Sequence, residues 1–139
     1  MSLIVGALAL LSTDVSAKTS VTSEIEAPAE STFVKKRYNI NGTWNVTELD
    51  GQKTIHFGED FKTKGGPDLK LYLSTRSLTE LKSGDVEGSS VKLSVLKSNK
   101  GAQSYIIPDD INLSDYKSVV IHCEAFEVLW GGFDIAKTP

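Results

Sequence analysis

From Asn41 onward, apolar and polar positions alternate with a period of two, the repeat of a strand with one buried face. Trp44 and Val46 alternate with Asn45 and Thr47. Asp50-Gly51 then supplies the left-handed turn that a tight hairpin needs before Ile55 and Phe57 return. Leu69, Leu71 and Leu73 alternate with Lys70, Tyr72 and Ser74, and Val91, Leu93 and Val95 with Lys92 and Ser94. Tyr105 and Ile107 repeat the rhythm before Pro108. Val119, Ile121 and Cys123 share one face of the next strand, with Val120, His122 and Glu124 on the other. Phe126, Val128 and Trp130 close the series before Gly131-Gly132.

Turn chemistry separates these segments: Gly65-Gly66-Pro67, Gly84, Gly88, Asn99-Lys100-Gly101 and Pro108-Asp109-Asp110. Only Ser77–Lys82 and Asn112–Tyr116 suit a single helical turn. About seven or eight short strands within ~100 residues predict an all-β fold, a single antiparallel β-sandwich or barrel-like domain. A domain of this size buries roughly two thirds of its unfolded surface, enough to stand without a disulfide.

The N-terminus has a different grammar. Residues 2–11 are almost entirely apolar or small, and Val15-Ser16-Ala17 fits a small-x-small cleavage site before Lys18. That is the pattern of a secretory signal peptide over residues 1–17, and it predicts export to a periplasmic or extracellular location. On length alone, a short buried helix is the alternative. Residues 18–39 are rich in Ser, Thr, Glu and Ala, carry Pro28 and lack a sustained apolar period. They predict a flexible linker leading into a β domain over residues 40–137. No stretch approaches the ~20 apolar residues of a membrane span, so the chain is not expected to cross a bilayer after signal removal.

Composition narrows the function classes. At 139 residues the chain is long enough for one domain. Its 15 Lys plus Arg against 18 Asp plus Glu give a net charge of -3, which argues against a nucleic-acid partner. Lys35-Lys36-Arg37 is the only basic cluster, and beside a linker it reads as solvated. One Cys and two His are too few for a structural zinc site of about four ligands. An internal disulfide is excluded by count. No G-x-S-x-G, H-E-x-x-H, Walker or Rossmann motif is present, so nothing marks a stand-alone enzyme. A hydrolase using Asp68 or Glu124 has no motif behind it. Asn41-Gly42-Thr43, Asn45-Val46-Thr47 and Asn112-Leu113-Ser114 match the glycosylation acceptor rule.

The single cysteine is what remains. Cys123 has the parity of Val119 and Ile121, so it points into the core if that face is the buried one. A buried free Cys often behaves as a small hydrophobe. A redox thiol, or a ligand to a metal or haem, is the functional reading. His122 is adjacent but points the opposite way in a regular strand, which argues against a Cys–His catalytic pair unless a β-bulge intervenes. His56 is out of phase with Ile55 and Phe57 and faces solvent or a partner strand. Asp68, in the Gly65-Gly66-Pro67-Asp68 turn, reads as turn chemistry or as a loop ligand.

GTW at 42–44, DFKTKGGPDLKLYLS at 60–74, LKSNKGAQSYIIP at 96–108 and LSDYKSVVIHCEAFEVLWGG at 113–132 together resemble the DM-thirteen domain family over about residues 40–135. The segments G-P-D-L-x-x-Y-L-S, G-x-Q-x-Y-x-I-P and Y-x-S-V-x-I-x-C occur in the family's order. The resemblance implies a compact β-sandwich, found alone in exported bacterial proteins and beside DOMON domains in animal extracellular proteins. It also implies electron transfer, with the characteristic cysteine, here Cys123, as a redox thiol or the holder of a prosthetic group. Many members carry an aromatic residue just before that cysteine. This chain has His122, which fits the stand-alone bacterial type.

Two readings of function follow. In the first, Cys123 is the redox thiol of an exported electron-transfer domain. His122, Tyr105 and Trp130 are its candidate neighbours, Asp68 is a candidate loop ligand, and a haem or metal is held through Cys123 in one version. Its partner is then a redox or surface protein. In the second, the domain is a non-catalytic extracytoplasmic binding module for a glycan, a surface protein or a partner domain, and Cys123 is structural.

Overall fold

The structure, a computed structural model, describes residues 22–25 and 32–135. The expected signal peptide, residues 1–17, lies outside the described residues. Two sheets pack face to face, with a small third ladder at one end. The first runs β1 (Thr22–Ile25), β4 (Trp44–Leu49), β5 (Gln52–Phe57) and β9 (Gln103–Ile106). The second runs β2 (Val34–Lys35), β11 (Val128–Asp134), β10 (Ser118–Cys123), β7 (Leu69–Ser74) and β8 (Ser90–Val95). β3 (Ile40–Asn41) pairs with β6 (Lys62–Thr63), and every pairing is antiparallel. The fold is thus the all-β sandwich that the alternation predicts.

The inward residues of both sheets meet in one core. Trp44, Val46, Ile55, Phe57 and Tyr105 come from the first sheet, and Leu69, Leu71, Leu73, Val119, Ile121, Cys123 and Phe133 from the second. Aromatic rings dominate its centre. Trp44 stacks on Phe133 at 3.9 Å between centroids, and Phe33 packs edge-on against Phe57 at 4.9 Å. Such rings bury large areas, and the edge-on Phe33–Phe57 contact is an arrangement their quadrupoles favour.

The β4–β5 hairpin turns at Asp50 and Gly51, with φ of 53° and 83°, the mirror-image turn whose twist matches its strands. Within the expected linker of 18–39, Thr22–Ile25 pairs with β4, Phe33 is buried in the core and Val34–Lys35 pairs with β11. Thr32 also bridges Thr43. The sandwich therefore takes in residues well before Asn41.

Two other expectations shift in register. Phe126 is 65 % exposed in the β10–β11 turn. β11 starts at Val128 and continues through Gly131-Gly132 to Asp134 rather than ending before them. The glycines are there because neighbours crowd the backbone. A Cβ on Gly132 would run into the Val119 carbonyl and lie 2.8 Å from Val120 Cα, and one on Gly131 would sit 2.7 Å from the Val34 oxygen. Asn112–Tyr116 holds a 3₁₀ turn, Leu113–Asp115, and Ser77–Lys82 holds a single hydrogen-bonded turn, with Glu80 N and Leu81 N both donating to the Ser77 oxygen at 3.1 and 3.0 Å; a further 3₁₀ turn follows at Ser83–Asp85.

Candidate functional site on the two faces of strand β10

All six residues of β10 are buried. Period two holds along it, but it does not divide core from solvent. Val119, Ile121 and Cys123 face the inter-sheet core, while Val120 joins a second apolar cluster with Tyr72, Leu78, Leu81, Val86 and Leu129. The segment between β7 and β8 supplies Leu78, Leu81 and Val86 and covers the outer face of the sheet.

Cys123 is a free thiol with 0 % exposure. Its strand neighbours are Leu69 on β7 and Val128 on β11, both members of or packed against the core cluster. Two surface clefts, of about 480 and 570 Å³, are lined by other residues. A haem or metal held through the thiolate needs the sulfur to open on a cavity, and the surroundings of Cys123 do not fit such a group. Among the described residues, no group of three or more His, Cys, Asp or Glu side chains is placed to hold a metal ion.

Of the candidate neighbours, Tyr105 and Trp130 belong to the same core cluster as Cys123, whereas His122 and Asp68 do not. Tyr105 belongs to the facing sheet, where its hydroxyl donates to Gln103 Oε1 at 2.6 Å and accepts from Lys97 N at 2.8 Å. Burial pushes its pKa up. Trp130 is the extra residue of a β-bulge: β10 and β11 slip register between Ile121 and His122. The bulge therefore exists, but on β11, so it does not turn His122 toward Cys123. Trp130 Nε1 donates to the Lys64 oxygen at 2.8 Å, and its carbonyl accepts from the backbone N–H groups of Lys36, Arg37 and Tyr38. Asp68 takes the Lys70 ammonium, and its carbonyl accepts from Glu124 N at 3.1 Å.

His122 faces the covered outer side. It is 1 % exposed, its Nδ1 lacks a hydrogen-bond partner, and its Nε2 lies 3.7 Å from Glu87. The Tyr72 ring meets it edge-on at 5.7 Å. Burial lowers the His122 pKa, against the opposing fields of Glu87, Glu124 and Glu127, so the ring is held neutral.

Beside it stands a polar network that the sequence reading missed. Glu124 accepts from the Tyr72 hydroxyl, from Lys92 at 2.8 Å and from Lys70 at 3.1 Å. These bonds, that of Lys92 foremost, hold its carboxyl down to about 2. The phenol of Tyr72 is pushed up, by burial first and by Glu124 next. A carboxyl so firmly ionised is a poor proton donor near neutrality. The signal was available: parity sets Lys70, Tyr72, Lys92, His122 and Glu124 on one face.

His56 is likewise structural. Its ring nitrogens bond Thr47 Oγ1 at 2.8 Å and Ser104 Oγ at 2.9 Å, tying β4, β5 and β9 together. The GTW segment is also architecture. Gly42, at φ 123°, leaves room for the Phe61 backbone. Thr43 donates twice to Asp60, each at 2.9 Å, lowering that carboxyl's pKa.

An all-β sandwich with a core cysteine at the end of a central strand defines the class of domain. The chain belongs to the electron transfer DM13 family, whose model matches residues 32–135. No curated protein and no solved structure matches the chain. The family's name implies a role in electron transfer.

Proposed function

We propose that this chain is an exported, non-catalytic module of an electron-transfer system, in which Cys123 packs the core and the domain works through contacts with other proteins. The observation that carries this reading is the burial of Cys123, 0 % exposed between Leu69 and Val128. Thiol exchange requires a thiolate that can reach the sulfur it attacks, and oxidation requires the same access. A cysteine with no exposed surface offers neither. The family's name supplies electron transfer, and the sealed thiol moves the working part of the domain to its surface.

Export is supported by the apolar run at 2–11 and the Val15-Ser16-Ala17 site. A sealed thiol also suits an oxidising compartment, where an exposed one would pair with other thiols. Native protein held with oxidised glutathione is expected to show no adduct by intact-mass measurement, whereas the unfolded chain acquires one. A reversible adduct on the folded protein would establish the redox-thiol reading instead. Cell fractionation with N-terminal sequencing tests export. The expected product lies outside the cytoplasm and begins at Lys18; a cytoplasmic chain retaining Met1 contradicts it.

A further inference from the structure

We infer that the corner built from Arg37, Tyr38, Lys62, Lys64 and Lys100 is a docking face for an acidic protein. The inference rests on the reading of the domain as a module of an electron-transfer system and names the kind of partner it meets. In the sequence these cations fall in three separate segments. The fold brings them together. Trp130 fixes two of the segments, with its carbonyl on the N–H groups of residues 36–38 and its indole N–H on the Lys64 oxygen. The Tyr38 ring tilts against Trp130 at 4.3 Å. The third segment is joined by Thr63 N to the Asn99 oxygen at 2.9 Å, Gly101 N to the Phe61 oxygen at 2.8 Å, and a Lys62–Lys100 bridge.

The charge on this corner is unbalanced. Lys53, Lys70, Arg76 and Lys92 each pair with a carboxylate. Among the described residues, Arg37, Lys62, Lys64 and Lys100 form no ion pair, and all four are exposed. Arg37 Cζ and Lys64 Nζ both approach the Tyr38 ring, at 5.8 and 5.7 Å. Two cations are thus held near one aromatic side chain in a protein whose net charge is -3. An arriving anion relieves that crowding.

The neighbouring surface says what kind of anion. A cleft of about 480 Å³ opens between the Gly65-Gly66-Pro67 turn and the Val95–Asn99 segment. Val95 on its wall is 59 % exposed, and its carboxylate, Asp68, is already taken by Lys70. Tyr and Arg are the side chains enriched at protein-binding patches, and the surrounding lysines supply the positive field that steers an acidic partner. Electron-transfer encounters use small faces steered by opposite charge. The net negative charge of the whole chain disfavours a nucleic acid.

A fluorescent poly-glutamate peptide, titrated against the full chain by anisotropy, tests this. It is expected to bind at low ionic strength and to weaken steeply as salt rises. The double charge reversal Lys62→Glu/Lys64→Glu should weaken it at least tenfold, and Tyr38→Ala severalfold. The matched reversal Lys82→Glu/Lys117→Glu, at exposed lysines elsewhere, should change it less than threefold. Circular dichroism checks that each variant is folded. Equal losses in both double reversals would overturn the inference, as would patch-dependent binding of dextran sulfate or anionic vesicles without binding of the peptide. None of these variants touches Cys123, so such a failure leaves the sealed-thiol reading standing, and a glutathione adduct would leave the docking result standing.

Discussion

Cys123 and His122 are neighbours in sequence that share no environment: the thiol faces the core between the sheets, and the imidazole faces the segment that covers the sheet from outside. A regular β10–β7 ladder keeps them apart, running without slip from Ser118–Ser74 to Cys123–Leu69. Chemistry that couples thiol and imidazole therefore requires β10 to leave its ladder.

Cys123 buried in the core should behave as a packing residue. Cys123→Ala should fold and lose about 1–2 kcal/mol, the usual scale for a small cavity in a packed core. Cys123→Ser should be worse, because its hydroxyl would be buried without a partner at a further cost of about 1–3 kcal/mol. Urea titrations monitored by Trp fluorescence give both numbers. Serine as stable as wild type would contradict apolar burial of the thiol.

His122 predicts a slope in stability on the mildly acid side. Burial lowers its pKa from the ordinary 6.5, so the folded chain keeps the ring neutral while the unfolded chain protonates it. Stability is complete above about 6.5 and is lost as pH falls toward the lowered folded value. His122→Phe removes both the titration and the unpartnered Nδ1. The variant should match or exceed wild-type stability at neutral pH and show less loss down to pH ~5. A steeper loss in the variant would overturn this assignment.

Glu124 predicts a second loss at lower pH. Its carboxyl lies at about 2 in the folded chain, so its contribution is full above its ordinary 4.5 and disappears as pH falls through about 2. Glu124→Gln should lower Tm at neutral pH by about 5 °C. The gap should close as pH approaches that folded value. Thermal melts across pH check it, and a gap that persists in acid would point to shape rather than charge.

Gly132 predicts intolerance. An added methyl meets the Val119 carbonyl and the Val120 Cα of the adjacent strand, and neither can move without breaking the β10–β11 ladder. Gly132→Ala should cost more than about 3 kcal/mol, in the tail of single substitutions. Gly84→Ala, where nothing lies within 4 Å of the added atom, is the control and should be near neutral. Chemical denaturation separates the two.

Much of this was legible in the sequence because strand parity is a strict rule. The alternation of Leu69, Leu71 and Leu73 and of Val119, Ile121 and Cys123 put these side chains in the core, where they lie. The same rule set Lys70, Tyr72, His122 and Glu124 on one face, but alternation reads that face as wet. Leu78, Leu81 and Val86 cover it, and a covering segment leaves no periodic mark on the strand beneath. The bulge at Trp130 was equally hidden, since one extra residue next to two glycines reads as a strand ending. Phe33 escaped because one core aromatic in a polar stretch makes no period. The basic corner depends on contacts among distant segments, which no local pattern records.

The most direct test of the sealed thiol is the rate of Cys123 alkylation by iodoacetamide in the native protein, followed from zero to sub-denaturing urea. The native rate is expected to be at least about a thousandfold below that of the unfolded chain, rising with urea in step with global unfolding. A native rate within about tenfold of the unfolded one, and insensitive to urea, would show that the thiol is reachable in the folded domain and is not sealed in its core.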